Sequence, residues 1–176
     1  TPSWDHFHAN ARGLPRRVKC RIRWYGELFG PIGRPTLELK RKRGLVGSKD
    51  SYALQPCALD EGFDARGVLA KASLPEPLGR ELGNLLPVLI TRYRRRYFLS
   101  CDGKYRLTLD SELGFQPIGP AANRFRTRAR EDERRIVELK FGLGDEDGAR
   151  RIASRFPFRV SRSSKYVLGV ELLYGS

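Results

Sequence analysis

Basic residues recur at every second position through several strand-like segments of this chain, and this pattern constrains the fold more than any other feature. In Lys19-Cys20-Arg21-Ile22-Arg23-Trp24 a period of two puts Lys19, Arg21 and Arg23 on one face and Cys20, Ile22 and Trp24 on the other. The same period returns in residues 37 to 42, 104 to 110 and 137 to 141. An ordinary half-buried strand sends a mixed polar set to water, whereas here the polar faces are mostly Arg and Lys with a few carboxylates. One such strand alone is the wet side of an antiparallel sheet. Several in one small domain argue otherwise, because like charges directly across neighbouring strands repel unless something negative lies between them. The pattern predicts a sheet built to hold an anion.

With 176 residues the chain is long enough for one domain with a real core and short for two. Its 34 Lys and Arg outnumber 20 Asp and Glu, for a formal net charge of +14 that implies a polyanionic partner: nucleic acid, an anionic membrane surface, a nucleotide or a chain of phosphates. The basic residues sit in strand-like segments rather than in a flexible run or along one helix, which fits a pocket or channel better than a nucleic-acid-binding arm. Cys20, Cys57 and Cys101 are far apart without CxxC spacing, so they read as reduced, mostly buried thiols rather than a disulfide framework or zinc site. No apolar run approaches bilayer length, the nearest being Leu85-Leu86-Pro87-Val88-Leu89-Ile90, and no signal-peptide pattern is present, so a cytoplasmic location is expected. The chain opens on Thr1-Pro2-Ser3-Trp4 and contains no methionine, which suggests a fragment or a processed form.

Residues 16 to 26 read as a strand, and a Gly/Pro-rich connection (Gly30-Pro31-Ile32-Gly33-Arg34-Pro35) returns into a second strand at 36 to 43. Residues 44 to 57 read as irregular, and 58 to 72 and 76 to 90 carry helical spacing. Strands follow at 91 to 99 and 104 to 110, joined by a hairpin turn at Ser100-Cys101-Asp102-Gly103. An Arg-rich loop covers 116 to 130, a strand 136 to 141, and a helix 145 to 156 with Asp145 as its cap; the last segment is not typed. The expected fold class is α+β, a largely antiparallel sheet with helices over its apolar face. If that sheet closes, its charged face lines the interior and needs a ligand or counterions there.

Four groups carry candidate chemistry. Lys19, Arg21 and Arg23 can grip neighbouring phosphates, because the planar guanidinium gives two parallel charge-assisted bonds. Glu38-Leu39-Lys40 and Glu138-Leu139-Lys140 each place a carboxylate and an ammonium on one strand face. Such a pair is a simple salt-bridge ladder, or, in a basic cavity, a carboxylate holding Mg²⁺ or Mn²⁺ against phosphate oxygens, a role better matched to Glu138 than to Glu38. In Tyr93-Arg94-Arg95-Arg96-Tyr97, Arg95 shares a side with both tyrosines while Arg94 and Arg96 face away. Ser161-Arg162-Ser163-Ser164-Lys165-Tyr166 is a plain basic loop or the closed end of a phosphate pocket. No GxGxxG or GxxxxGK[ST] loop and no nucleophile motif beside His6 and His8 is present, which argues against a P-loop kinase or a protease.

In order, Arg17-Val18-Lys19-Cys20-Arg21-Ile22-Arg23-Trp24-Tyr25-Gly26, Leu37-Glu38-Leu39-Lys40, Tyr93-Arg94-Arg95, Tyr105-Arg106-Leu107-Thr108-Leu109-Asp110, Val137-Glu138-Leu139-Lys140 and Ser164-Lys165-Tyr166 resemble the motifs of the VTC domain. This is the polyphosphate polymerase domain of the vacuolar transporter chaperone family, within the triphosphate tunnel metalloenzyme superfamily. The resemblance implies one domain over residues 1 to 176, folded as an antiparallel tunnel barrel with helices outside, lacking the family's first strand. It implies catalytic phosphate contacts from Arg21, Arg23, Lys40, Arg95, Arg106 and Lys165, substrate binding by Lys19, Lys49, Tyr93, Lys140 and Ser164, and metal binding by Glu138. Mn²⁺ or Mg²⁺ would be the cofactor and ATP or another nucleoside triphosphate the substrate, with polyphosphate as product and no specific nucleic-acid partner. Two alternatives remain open at this point, a triphosphate or polyphosphate hydrolase of the same superfamily and a non-catalytic polyanion-binding module. On the tunnel reading, Arg21, Arg23, Lys40, Arg95, Arg106 and Glu138 should converge on one cavity.

Overall fold

A computed structural model describes residues 4–44, 46–119, 123, 125 and 130–175. The elements in chain order are α1 (Asp5–Ala11), β1 (Arg16–Arg23), β2 (Gly30–Ile32), β3 (Thr36–Arg43), β4 (Val46–Ala53), β5 (Cys57–Leu59), α2 (Ala65–Ala70) and α3 (Glu76–Gly83). They continue with β6 (Leu89–Leu99), β7 (Tyr105–Pro117), β8 (Arg130–Asp132), β9 (Ile136–Phe141), α4 (Glu146–Ala153) and α5 (Lys165–Tyr174). All strand pairs are antiparallel, and the class is mixed α and β as expected.

The strands form three sheets, β1-β3-β4, β2-β5, and one in which β7 pairs with β6, β8 and β9. Among the described residues no barrel closes: closure requires every edge to find a partner, and no ladder joins β1 or β4 to the sheet around β7. This differs from the expected tunnel barrel. What links the two larger sheets is packing, since Ile22 and Trp24 of the first sheet's β1 side lie against the buried cluster of Ile32, Leu59, Phe63, Ala65, Ile90 and Ile118.

Alternation in the first sheet behaves as the sequence suggests. Leu37 and Leu39 are fully buried on one face and pack with Leu54 and with Leu78 and Leu82 of α3, so a helix covers the apolar side. The opposite face carries Lys19, Arg21 and Arg23 from β1, with Glu38 and Lys40 from β3.

Other expectations shift. Residues 44 to 57 are not irregular: β4 occupies most of them, an edge strand held by its ladder to β3. The helical stretches shrink to α2 and α3, and β6 starts two residues after Pro87, whose ring disfavours helical backbone before it. Asp145 precedes α4 but makes no side-chain cap bond. The final segment is α5, whose N-cap Ser164 accepts from the Val167 amide, and Cys101 is exposed where a buried thiol was expected. Most of the 116 to 130 segment expected as a loop lies outside the described residues.

One irregularity in β7 positions the site. Register runs Arg92 opposite Gly114, then Arg94 opposite Ser111, so β7 holds one extra residue there, and Glu112 adopts φ 53°. Before this bulge the even-numbered residues Arg106, Thr108 and Asp110 face one way; beyond it the odd-numbered Leu113 and Phe115 face that same way. The result is a single sheet face that is polar at one end and apolar at the other, with α5 seated on the apolar end through Gly169 against Phe115.

Candidate anion-binding site

Three lysines form a row straight across the first sheet, Lys19 opposite Lys40 and Lys40 opposite Lys49. The next row holds Arg21, Glu38 and Ser51. Glu38 is buried among cations: Arg21 Nε donates to its Oε2 at 2.7 Å with Nη2 on the same oxygen, while Arg23 Nη1 at 3.2 Å and Lys49 Nζ at 2.8 Å meet Oε1. Arg23 also stacks over Tyr25, 4.5 Å from the ring centre. Burial would raise the Glu38 pKa, but the hydrogen bonds and charges of Lys49 and Arg21 outweigh it and hold the carboxyl at about 2.

A second buried carboxylate organises the other sheet. Asp110, on β7, receives Arg95 Nε at 2.5 Å and Nη2 at 2.6 Å, one to each oxygen, and also pairs with Lys165. Burial opposes its ionisation, yet these two cations keep its pKa below the usual carboxylate value. Tyr93 supplies an aromatic face to Lys165 at 4.6 Å and to Arg95 at 5.2 Å, and Tyr97 meets Arg95 at 5.9 Å.

The first turn of α5 joins the two clusters. Ser164 Oγ accepts from Lys19 Nζ at 2.9 Å, across to the first sheet, while the adjacent Lys165 reaches Asp110 on the second. Burial, followed by the charges of Arg17, Lys40, Arg21 and Lys165, lowers the Lys19 pKa, so each of these cations is within electrostatic reach of Lys19. The basic faces of both sheets therefore meet at the N-terminus of α5.

Arg106, Lys140 and Glu138 lie on the same face of the second sheet as Arg95, but farther out. Glu138 stands opposite Thr108, one row beyond Asp110, and Arg106 opposite Lys140, two rows beyond it. Glu138 is half-exposed and pairs with Lys140 at 3.4 Å. Of the six residues expected to converge, Arg21 and Lys40 lie beside Lys19 and Arg95 shares Asp110 with Lys165, so these three reach the α5 junction; Arg23 holds Glu38 two rows along β1 from Lys19, and Arg106 and Glu138 occupy the outer end of the other wall. None of the arginines assigned to the site shares the outward side of β6 with Arg94 and Arg96.

Could this wall hold a divalent cation? Among the described residues no three His, Cys, Asp or Glu side chains cluster. Mg²⁺ and Mn²⁺, when bound with phosphates, need only one or two carboxylates from protein. Directly across from Glu138, the Thr108 hydroxyl is buried without a hydrogen-bond partner, an orphan oxygen beside the carboxylate. Glu138, half-exposed and paired with Lys140, is the carboxylate that this wall offers such a cation.

Sequence reasoning missed the two organising carboxylates. Asp110 entered only as the end of a motif, and Glu38 was ranked below Glu138. Their position in the alternation was the available signal, since both fall on the basic side of their strands. Two pockets, of about 280 Å³ beside Cys57 and Val68 and about 460 Å³ beside Leu14 and Arg43, are lined by none of the site residues.

Comparison with known families agrees with this geometry: the sequence model of the VTC domain matches residues 1–174. The chain belongs to the VTC domain family. That family is linked to polyphosphate polymerase activity. No curated protein matches this VTC domain. No helix among its described residues is long and apolar enough to cross a membrane.

Proposed function

We propose that this VTC domain is a nucleoside-triphosphate-dependent polyphosphate polymerase. The observation that carries the reading is the junction at α5, where Lys19, Arg21, Lys40, Lys165 and Arg95, drawn from two sheets and one helix, gather about a bridge from Ser164 to Lys19. So dense a set of cations is stable against its own repulsion only with anions among them, and two carboxylates do not balance it.

In the reaction, a terminal oxygen of the growing chain attacks the γ-phosphorus in line, the bridging bond to the β-phosphate breaks, and the nucleoside diphosphate leaves with that oxygen. Charge spreads over the three equatorial oxygens of the transferring group, and Arg21, Arg23, Lys40, Arg95, Arg106 and Lys165 are proposed to stabilise it. Lys19, Lys49, Tyr93, Lys140 and Ser164 would hold the remaining phosphates. Glu138, with Thr108 beside it, would hold Mn²⁺ or Mg²⁺, which supplies further neutralisation of phosphate charge. The two charged faces would act as walls of a channel, the finer form of the tunnel architecture. Water as acceptor in place of the chain would give hydrolysis from the same site.

Incubation with ATP and Mn²⁺, followed by sizing of the polyphosphate formed, tests the proposal. Long-chain product that disappears with chelator supports it. Release of inorganic phosphate without chain growth would replace polymerase by hydrolase. Polyanion binding that weakens with salt, ignores chelator and yields neither product would leave a binding module.

A further inference from the structure

Glu38 and Asp110 do more than fill space between cations. Each is nearly inaccessible, at 7% and 1% side-chain exposure; of the cations they hold, Arg21 and Lys49 on Glu38 are 54% and 52% exposed, while Arg23 on Glu38 is 25% and Arg95 and Lys165 on Asp110 are each 20% exposed. Glu38 thus lies beneath cations whose outer surface faces solvent, and Asp110 beneath cations that are only partly open. Arg21 spends Nε and Nη2 on Glu38, which leaves its Nη1 for another anion, whereas Arg95 spends Nε and Nη2 on Asp110 and also bonds Tyr97. Five side chains assigned to phosphate (Arg21, Arg23, Lys49, Arg95 and Lys165) are committed to these two residues.

We infer that Glu38 and Asp110 are resident counter-anions that set a charge threshold for what the cleft accepts, excluding single phosphates and admitting chains of three or more. An incoming anion must share or take over donors already satisfied by a carboxylate fixed in place at no cost in translational freedom. Orthophosphate, with about two charges at one point, gains little over the carboxylate it competes with. A tripolyphosphate or longer chain engages Arg and Lys side chains of both clusters at once, and its linked groups bind with the advantage of high effective concentration. The threshold also favours release: once a short product separates, the carboxylates resume their partners. This inference rests on the phosphate-binding reading of the same site.

The test uses the whole chain, calorimetry and thermal melts, and three ligands in chelator: orthophosphate, pyrophosphate and tripolyphosphate. Wild type should bind tripolyphosphate and show no measurable orthophosphate binding. Glu38→Gln keeps the side-chain shape and removes the charge, so it should bind orthophosphate detectably and tripolyphosphate roughly tenfold or more tightly. Its ligand-free melting temperature should fall, because three cations lose their shared partner, and the rise produced by tripolyphosphate should exceed that of wild type. Glu38→Asp, which retains the charge, should keep the wild-type discrimination. If Glu38→Gln is folded by circular dichroism and its affinities for all three ligands fall or stay unchanged together, Glu38 only orients its arginines and the inference is overturned. Should Glu38→Gln not fold, Glu38→Asp that binds orthophosphate as tightly as pyrophosphate overturns it equally. Absence of tripolyphosphate binding to wild type would instead overturn the phosphate-binding reading beneath it.

Discussion

Glu38-Leu39-Lys40 and Glu138-Leu139-Lys140 are the same three residues in the same strand conformation, and they end in different surroundings. Glu38 lies on a central strand with cations on both sides, whereas Glu138 lies on a strand that, among the described residues, pairs only with β7, and it stays half-exposed. Nothing in either triplet records this, so the ranking of Glu138 over Glu38 could not anticipate the hub that Glu38 forms. Their mutants should separate accordingly. Glu138→Gln is expected to lower metal-dependent turnover on the order of 100-fold while tripolyphosphate binding in chelator persists or strengthens; steady-state rates with Mn²⁺ beside calorimetry check it, and normal turnover would remove the metal role. Arg21→Ala should weaken tripolyphosphate binding by about 1.5–3 kcal/mol, the value of a charge-assisted bond. Arg21→Lys keeps the charge and loses the fork that meets Glu38 through two nitrogens, so most of that loss should remain. A titration in which Arg21→Lys matches wild type would mean that charge alone decides.

At the scale of elements, α5 is the piece on which the site depends, and its placement turns on one small residue. A methyl group at Gly169 would collide with the ring of Phe115, which is fully buried. Overpacking of this kind costs about 1–3 kcal/mol, against at most about 1 kcal/mol gained from alanine's helix propensity. Gly169→Ala should therefore lower stability in urea denaturation and weaken tripolyphosphate binding through Ser164 and Lys165; unchanged stability would show that α5 can shift. This helix was not legible in the sequence. Lys165-Tyr166-Val167-Leu168-Gly169-Val170-Glu171-Leu172-Leu173-Tyr174 is apolar nearly all round and rich in strand-favouring residues, because it is wedged between α1 and the sheets, so neither period stands out. Strand β4 was missed for the opposite reason: Val46-Gly47-Ser48-Lys49-Asp50-Ser51-Tyr52-Ala53 is polar on both sides and takes its conformation from the ladder to β3. Where one face is apolar and the other basic, as in β1, β3 and β9, the alternation was readable and the assigned residues share the expected face.

For the whole molecule, the net charge of +14 makes pH and salt the natural variables. Glu38 has its pKa depressed in the folded state to about 2 from an ordinary value of 4.5, and Asp110 is shifted in the same direction. A depressed carboxyl contributes stability that is present above its unfolded value and is lost as pH falls through the folded one. Acid should therefore erode wild-type stability between about pH 4.5 and about pH 2, and Glu38→Gln should lose its share of that slope. Denaturant melts across this range check the expectation, and identical slopes in the two proteins would show that Glu38 is not coupled to folding. Architecture at this scale was only partly readable: antiparallel ladders and helices over an apolar face follow from local pattern, while closure depends on which edges meet, and no local pattern encodes that. The extra residue in β7 carries one last consequence, for how such a domain can change over generations. It inverts the strand's parity, so that Asp110 and Phe115, one even and one odd, look the same way. A substitution along β7 changes the contacts of one side chain. A single-residue deletion between Ser111 and Leu113 would swap every position beyond it to the wrong side, parting the helix from its seat and the cations from their carboxylate, and so this stretch can drift in composition but is frozen in length.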